Sequence, residues 1–324
     1  MRKLPYILAA LILTACTKSE TQYEPSGEIG FAPVKGNITK AEGTYGPLAD
    51  TQNLGIWAYW DEDGTVGEVT DITLYNKTYL INDLFVYKNG NWGGAGLGYP
   101  WPMNGALVFA GYTTPGETVM GDGKISYDLG EDIMSFIEYE NTDEFDLCWF
   151  GRTKNSYNYR ADGTAVPVNL DHALSWITFA AYGEGLTVGN WTITSMTLNN
   201  VANKGSAKCQ NGKATWLSTT VAPKTILSTK HTITEGTTSG DKIVGEVLTN
   251  NILIPSRNVT LTVSYEYKVN GTTVSETKTV DINPGETWES GKHYTYTLVF
   301  KANEILVAPS ANNWDTADQN ITVE

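Results

Sequence analysis

A chain of 324 residues is long enough for about two globular cores, and its make-up is unusual: 32 Gly, 10 Trp, 18 Tyr and only 18% charged residues. Acidic residues outnumber basic ones 36 to 22, for a net charge of −14. With no basic patch to neutralise phosphates, that balance excludes nucleic acid as a partner and argues against anionic lipid surfaces.

Arg2 and Lys3 precede an apolar run, Leu4 to Leu13, that is too short to span a membrane. It ends in Leu13-Thr14-Ala15-Cys16, which resembles a bacterial lipobox. Residues 1–15 therefore read as a lipoprotein signal peptide, and Cys16 as the acylated (palmitate-bearing) new N-terminus. Two or three acyl chains anchor a protein stably where one does not. Residues 16–27 form a polar tether.

Ile29, Phe31 and Pro33 then alternate with Gly30 and Ala32, the pattern of a strand with one buried face within residues 28–38. The polar break Thr39-Lys40-Ala41-Glu42-Gly43 reads as an exposed loop open to a protease. A first strand on such a tether is either an ordinary edge strand or a removable one.

Further on, Leu54–Trp60 and Ala106–Tyr112 read as strands, and Asp132–Glu140 as a helical turn or two. Leu174–Tyr182 is nearly all apolar, so it is expected to be covered on both faces. Turn dipeptides recur at Asp63-Gly64, Asn89-Gly90, Asp122-Gly123, Asp162-Gly163, Asn211-Gly212 and Asn270-Gly271. Gly183-Glu184-Gly185 marks a boundary between residues 28–184 and 185–324. Trp191–Leu198 and Tyr294–Phe300 supply strands to the second part. Around Asn270-Gly271, a two-residue turn places Val259 opposite Ile282, Leu261 opposite Val280 and Tyr267 opposite Val274, with Val263 and Tyr265 facing Lys278 and Glu276. Past Phe300, Ile305–Pro309 and Ile321–Glu324 are extra strand-like pieces. An apolar strand there must find an edge, in its own sheet or in another molecule's. The class is all-β, with two sandwich domains in tandem.

Little points to catalysis or metal binding. His172, His231 and His293 are far apart, with no Cys/His cluster at metal spacing. Asp61-Glu62-Asp63-Gly64 lacks the calcium-loop pattern and reads as a turn. No nucleophile elbow or phosphate loop occurs. Cys148 and Cys209 either pair or serve as small buried apolar residues, and the aromatic neighbours Trp149 and Phe150 favour burial. No enzyme activity, cofactor or metal is expected. Trp57, Tyr59, Trp60, Trp92, Tyr99 and Trp101 are either core aromatics or a sugar-stacking platform. The platform would make the chain a surface lipoprotein binding glycans or host ligands, the rival reading.

The leader at Leu13–Cys16, Tyr99-Pro100-Trp101-Pro102 with Leu107–Pro115, Leu170-Asp171-His172-Ala173-Leu174, and Gly291-Lys292-His293-Tyr294-Thr295-Tyr296 together resemble the fimbrillin family of the Bacteroidales. The resemblance implies two transthyretin-like β-sandwich domains, export to the outer membrane as a lipoprotein, and a place in a fimbrium that supports adhesion. It also implies that a protease removes the first strand and that a neighbouring subunit's strand fills the groove. Carried over, the displaced strand holds Ile29 and Phe31, and the donor segment, residues 304–324, holds Ile305, Val307, Ile321 and Val323. The family's cut follows an Arg, but Arg2, Arg152, Arg160 and Arg257 all lie elsewhere, which leaves Lys40, then Lys35, as the best-placed basic residue. Implied partners are other copies or paralogous pilins and a host or bacterial surface ligand. The role is a stalk subunit, with tip and anchor as alternatives.

Overall fold

The computed structural model describes residues 27–34, 52–88, 90–96, 98–141, 145–160, 163–185, 190–239, 242–301, 304–313 and 321–322. Cys16, Lys35, Lys40 and Val323 lie outside these residues, and of Ile321 only the backbone is described. In chain order the strands are β1 (Gly30–Pro33), β2 (Gln52–Asp61), β3 (Gly67–Glu68), β4 (Lys77–Lys88), β5 (Asn91–Gly94), β6 (Ala106–Pro115), β7 (Ile125–Asp128) and β8 (Ile133–Glu140). There follow β9 (Cys148–Phe150), β10 (Asn155–Ser156), β11 (Val166–Val168), β12 (Asp171–His172), β13 (Ser175–Gly183), β14 (Trp191–Gln210), β15 (Lys213–Leu227) and β16 (His231–Thr232). The last are β17 (Thr237–Ser239), β18 (Lys242–Val244), β19 (Glu246–Leu253), β20 (Thr260–Val269), β21 (Thr272–Asp281), β22 (Lys292–Lys301), β23 (Glu304–Asn313) and β24 (Ile321–Thr322). Among the described residues the one helical element is a short 3-10 turn, Ile72–Leu74, so the all-β class holds.

The helical expectation for Asp132–Glu140 does not hold. That segment is β8, with Met134 and Phe136 buried at a spacing of two. It pairs with β7 on one edge and β14 on the other, and tertiary pairing overrides a weak local helix signal.

Eight strands form one sheet in the order β11-β1-β5-β4-β2-β6-β9-β12. Its outer strands, β11 and β12, are separated in the chain only by Asn169 and Leu170, so the sheet curls back on itself. Inside the curl lies a core that includes Ile29, Phe31, Leu54, Ile56, Phe85, Trp92, Phe109 and Phe150. Strand β2 sorts its side chains by parity: Leu54, Ile56 and Ala58 enter this core, while Trp57 enters a second one.

The second core, with Tyr112, Phe136, Trp149 and Cys209, lies between the curled sheet and the β7–β8 end of a seven-stranded sheet, ordered β21-β20-β14-β8-β7 with β15 and β16 also paired to β14. At its other end that sheet faces the five-stranded sheet β19-β13-β22-β23-β24. A third core, with Phe179, Met196, Val263, Tyr296 and Phe300, lies between them. Cys148 and Cys209 are buried and unbonded to each other.

Strand β14 links the two ends. Its first part pairs with β20 from Trp191↔Tyr267 to Asn199↔Thr260, and its last part with β8 from Lys204↔Glu140 to Cys209↔Met134. The exchange of partners falls at Asn200, which sits at φ 62° beside a register shift. The β14–β15 hairpin thus begins after the expected boundary at residue 184 and contributes to the sheets of both halves.

The β20–β21 hairpin has the expected register throughout, including Leu261↔Val280 and Tyr267↔Val274. Asn270 and Gly271 both have positive φ, 50° and 82°, as a primed two-residue turn requires. At the expected weak point, the Tyr265 and Tyr267 hydroxyls donate to Glu276 at 2.7 and 2.8 Å. These two bonds hold its carboxyl below the usual range.

Strand β13 is buried along nearly its whole length, antiparallel to β19 and parallel to β22, as its apolar run implied. Trp176 stacks on His293 at 3.7 Å between ring centroids, and burial holds that imidazole down to about 4. An unfolded His titrates near 6.5, so this group favours folding above that pH and withdraws its support as pH falls toward 4. Stability should drop across this window by about 1 kcal/mol per pH unit, read as the urea midpoint, with a shallower drop in His293→Gln.

Candidate functional site

Strand β1 is not at an edge. It lies between β5, antiparallel through Gly30↔Gly93 and Phe31↔Trp92, and β11, parallel from Phe31↔Val166 to Pro33↔Val168. Ile29 and Phe31 are both 0% exposed. The Phe31 ring meets Phe85 and Phe109 edge-on, with centroids 4.9 and 5.1 Å away, and tilts toward Phe150. Such contacts add to the burial energy of the ring.

The flanks of β1 are bonded as well. Ile29 N donates to Tyr99 O at 2.7 Å, Trp101 N to Gly27 O at 3.2 Å and Trp101 Nε1 to Glu28 O at 3.1 Å. At the other end Val34 N donates to Val168 O at 3.1 Å. The bond donor that Pro33 lacks would point to the side where β5 has already ended, so the proline costs no ladder bond. Residues 27–34 are thus an extended peptide seated in a slot walled by β5, β11 and the Tyr99–Trp101 segment, with two side-chain pockets. The connection from Val34 to β2 holds both Lys35 and Lys40.

Trp101→Phe keeps a ring in place but removes the bond to Glu28 O. It should cost about 1 kcal/mol in a denaturant titration.

The aromatic-platform reading meets a steric obstacle. Trp57, Trp92 and Trp101 are only 5%, 1% and 3% exposed, so their faces pack in the core and cannot stack on a sugar. Tyr59, Trp60 and Tyr99 are half-buried. Trp101 belongs instead to the wall that holds the first strand.

The fold also gathers three groups that their spacing had not connected. Asp146, Cys148 and His172 place their ligand atoms within 4.8 Å of one another. His172 Nδ1 faces both Asp146 Oδ1, at 3.0 Å, and Cys148 Sγ, at 3.3 Å. One ring nitrogen therefore serves both partners, which does not allow the imidazole to pass a proton between them. Burial pushes the thiol up to about 12, so it is no nucleophile at neutral pH. The trio ties β9 to β12.

The C-terminal pieces find an edge within their own sheet. β23 pairs with β22 from Lys301↔Glu304 to Lys292↔Asn313, and β24 pairs with β23 through Ser310↔Thr322 and Ala311↔Ile321. Ile305 and Val307 are half-buried against the third core, and Leu306 is 42% exposed.

The slot's walls were not visible in the sequence. Val166-Pro167-Val168 lies more than 130 residues from Phe31, and only its alternation around a proline hinted at an edge strand.

Comparison with known proteins bears on this arrangement. The fimbrillin-like family model matches residues 39–314. No curated protein matches the chain. Among solved structures, a fimbrial protein from Bacteroides vulgatus is 17% identical with a TM-score of 0.53, over 89% of this chain and 99% of its own. A candidate cell adhesion protein from Bacteroides uniformis is 16% identical with a TM-score of 0.53, over 90% of this chain and 100% of its own. A third, from Bacteroides ovatus, is 14% identical with a TM-score of 0.50, over 90% and 99%. At these identities the likeness is one of fold.

Proposed function

The chain belongs to the fimbrillin-like family, and from that membership we propose that it is a stalk subunit of a cell-surface fimbria built by protease-triggered donor-strand exchange. The mature chain starts at Cys16, whose acyl chains hold it on the outer membrane until assembly. It comprises two transthyretin-like sandwich domains, residues 28–184 and 185–324, joined across that boundary by β13, which pairs with β19 and β22, and by the β14–β15 hairpin. Cutting after Lys40, or Lys35, turns β1 into a detached peptide. A segment carrying Ile305, Val307, Ile321 and Val323 from another copy or a paralogous pilin then takes its place. The filament supports adhesion to a host or bacterial surface ligand, and the chain itself carries out no catalysis.

The observation that carries this reading is the seat of β1, an eight-residue stretch (27–34) bonded on both edges and buried at Ile29 and Phe31. Main-chain bonds along such a slot supply affinity, and its alternate pockets supply fit. While the loop is intact, any incoming strand competes with a tethered occupant. Once the loop is cut, the occupant can dissociate.

Limited trypsin digestion tests the proposal. Protein cut between β1 and β2 should form ladders that survive SDS, and the Lys35→Gln/Lys40→Gln double variant should stay monomeric. Cut protein that remains monomeric at high concentration would overturn the stalk role. An uncuttable loop would leave only a terminal or anchoring role.

A further inference from the structure

The seated strand and the C-terminal segment share a sequence. Glu28-Ile29-Gly30-Phe31-Ala32-Pro33 is matched by Glu304-Ile305-Leu306-Val307-Ala308-Pro309, with the glutamate, isoleucine, alanine and proline at the same offsets. We infer that the incoming strand copies β1 residue for residue and in the same direction: Ile305 takes the place of Ile29, Val307 that of Phe31 and Pro309 that of Pro33. This assignment rests on the donor-strand reading above and adds its register and polarity.

The slot itself rejects the alternatives. A slip of one residue would turn Ile305 and Val307 to the outer face. A slip of two in one direction puts Asn303 into the fully buried Ile29 pocket, where its amide has to find new partners. A slip of two in the other puts Pro309 at the Phe31 position, paired with Trp92 inside the β5 ladder, where a proline has no N–H to give. Reversing the strand about Val307 puts Pro309 at the Ile29 position, whose N–H now bonds Tyr99 O at 2.7 Å, and abandons the parallel pairing with β11. Of these arrangements only the copied register both places the proline where β5 has ended and keeps Ile305 and Val307 in the two buried pockets.

The remaining positions fit too. Leu306 would replace Gly30, opposite Gly93, which brings no side chain of its own to that cross-strand position. Glu304 would replace Glu28, whose carboxylate lies against Gly98 at a site where any Cβ on that glycine would collide with it. One position is an imperfect copy. Valine is smaller than phenylalanine, so Val307 leaves the edge-on contacts to Phe85 and Phe109 unfilled. In its own subunit Val307 is only half-buried, so the move to a fully buried pocket still favours exchange.

Cysteine pairing reads the register directly. Three double variants of the full chain, Gly93→Cys with Leu306→Cys, Glu304→Cys or Ala308→Cys, are cut with trypsin, allowed to assemble and oxidised with oxidised glutathione. Only the Leu306→Cys pair should give covalent dimers and higher species on non-reducing gels, since Cys148 and Cys209 are buried. Links from position 304 or 308 would overturn the register while leaving the exchange intact. SDS-resistant ladders without any link would assign the donor to another segment. Absence of ladders even in the parent protein would remove the exchange and the register with it. A second readout avoids cysteines: Val307→Phe should raise the temperature at which ladders dissociate, whereas Leu306→Phe should not. An unchanged or lower temperature for Val307→Phe would count against Val307 in the Phe31 pocket.

Discussion

Phe31→Ala in the uncut protein should lower its stability by about 3–5 kcal/mol, read as a fall in the urea midpoint with little change in slope. The ring is fully buried, meets three other phenylalanines, and lies between two strands that cannot close over the gap without breaking their own pairing. A surface edge strand would lose far less. The same change should speed loss of the first strand after cutting, since it removes contacts that outlast the covalent tether. Tryptophan fluorescence would follow that loss, because Trp92 and Trp101 line the slot. A midpoint within about 0.5 kcal/mol of the parent would mean that Phe31 does not hold the core together, and the slot would lose its physical basis.

Val307→Asp should abolish ladder formation, a loss of at least about a hundredfold in assembled protein, while leaving a folded monomer. The asymmetry follows from burial. In the monomer Val307 is half-buried on β23, so a carboxylate there can turn toward water. In the Phe31 pocket the carboxylate would be enclosed in a core that includes Phe85, Phe109 and Trp92. Deleting residues 304–324 is a blunter test, because it also strips β22 of a partner along its whole length. Normal filaments from Val307→Asp protein, with circular dichroism unchanged, would take this residue out of the exchange.

The strands themselves were largely legible. Apolar runs marked β2 and β6, alternation marked β20, and the Asn-Gly turn fixed its register against β21, because side-chain parity and turn geometry are local properties. β13 was legible for the opposite reason: its unbroken apolar run announced cover on both faces. β8 was misread because a few charged residues around Met134 and Phe136 imitate a helix, and only pairing with β7 and β14 decides otherwise. The length of β14 was also hidden, since its change of partner at Asn200 depends on strands 60 residues away on either side. The Cys148–His172–Asp146 trio was invisible too, because β9 and β12 meet only in the folded sheet.

What the sequence alone determined is the all-β class, the apolar alternation at Ile29 and Phe31 and the pairing of the β20–β21 hairpin. Each follows from the order of residues within a few positions. Only the tertiary structure decided that β1 sits inside a sheet, that Trp57, Trp92 and Trp101 are core residues, and that β23 is held by β22. Those outcomes depend on which distant segments come to lie beside one another, and burial is a property of that arrangement rather than of any one stretch of chain.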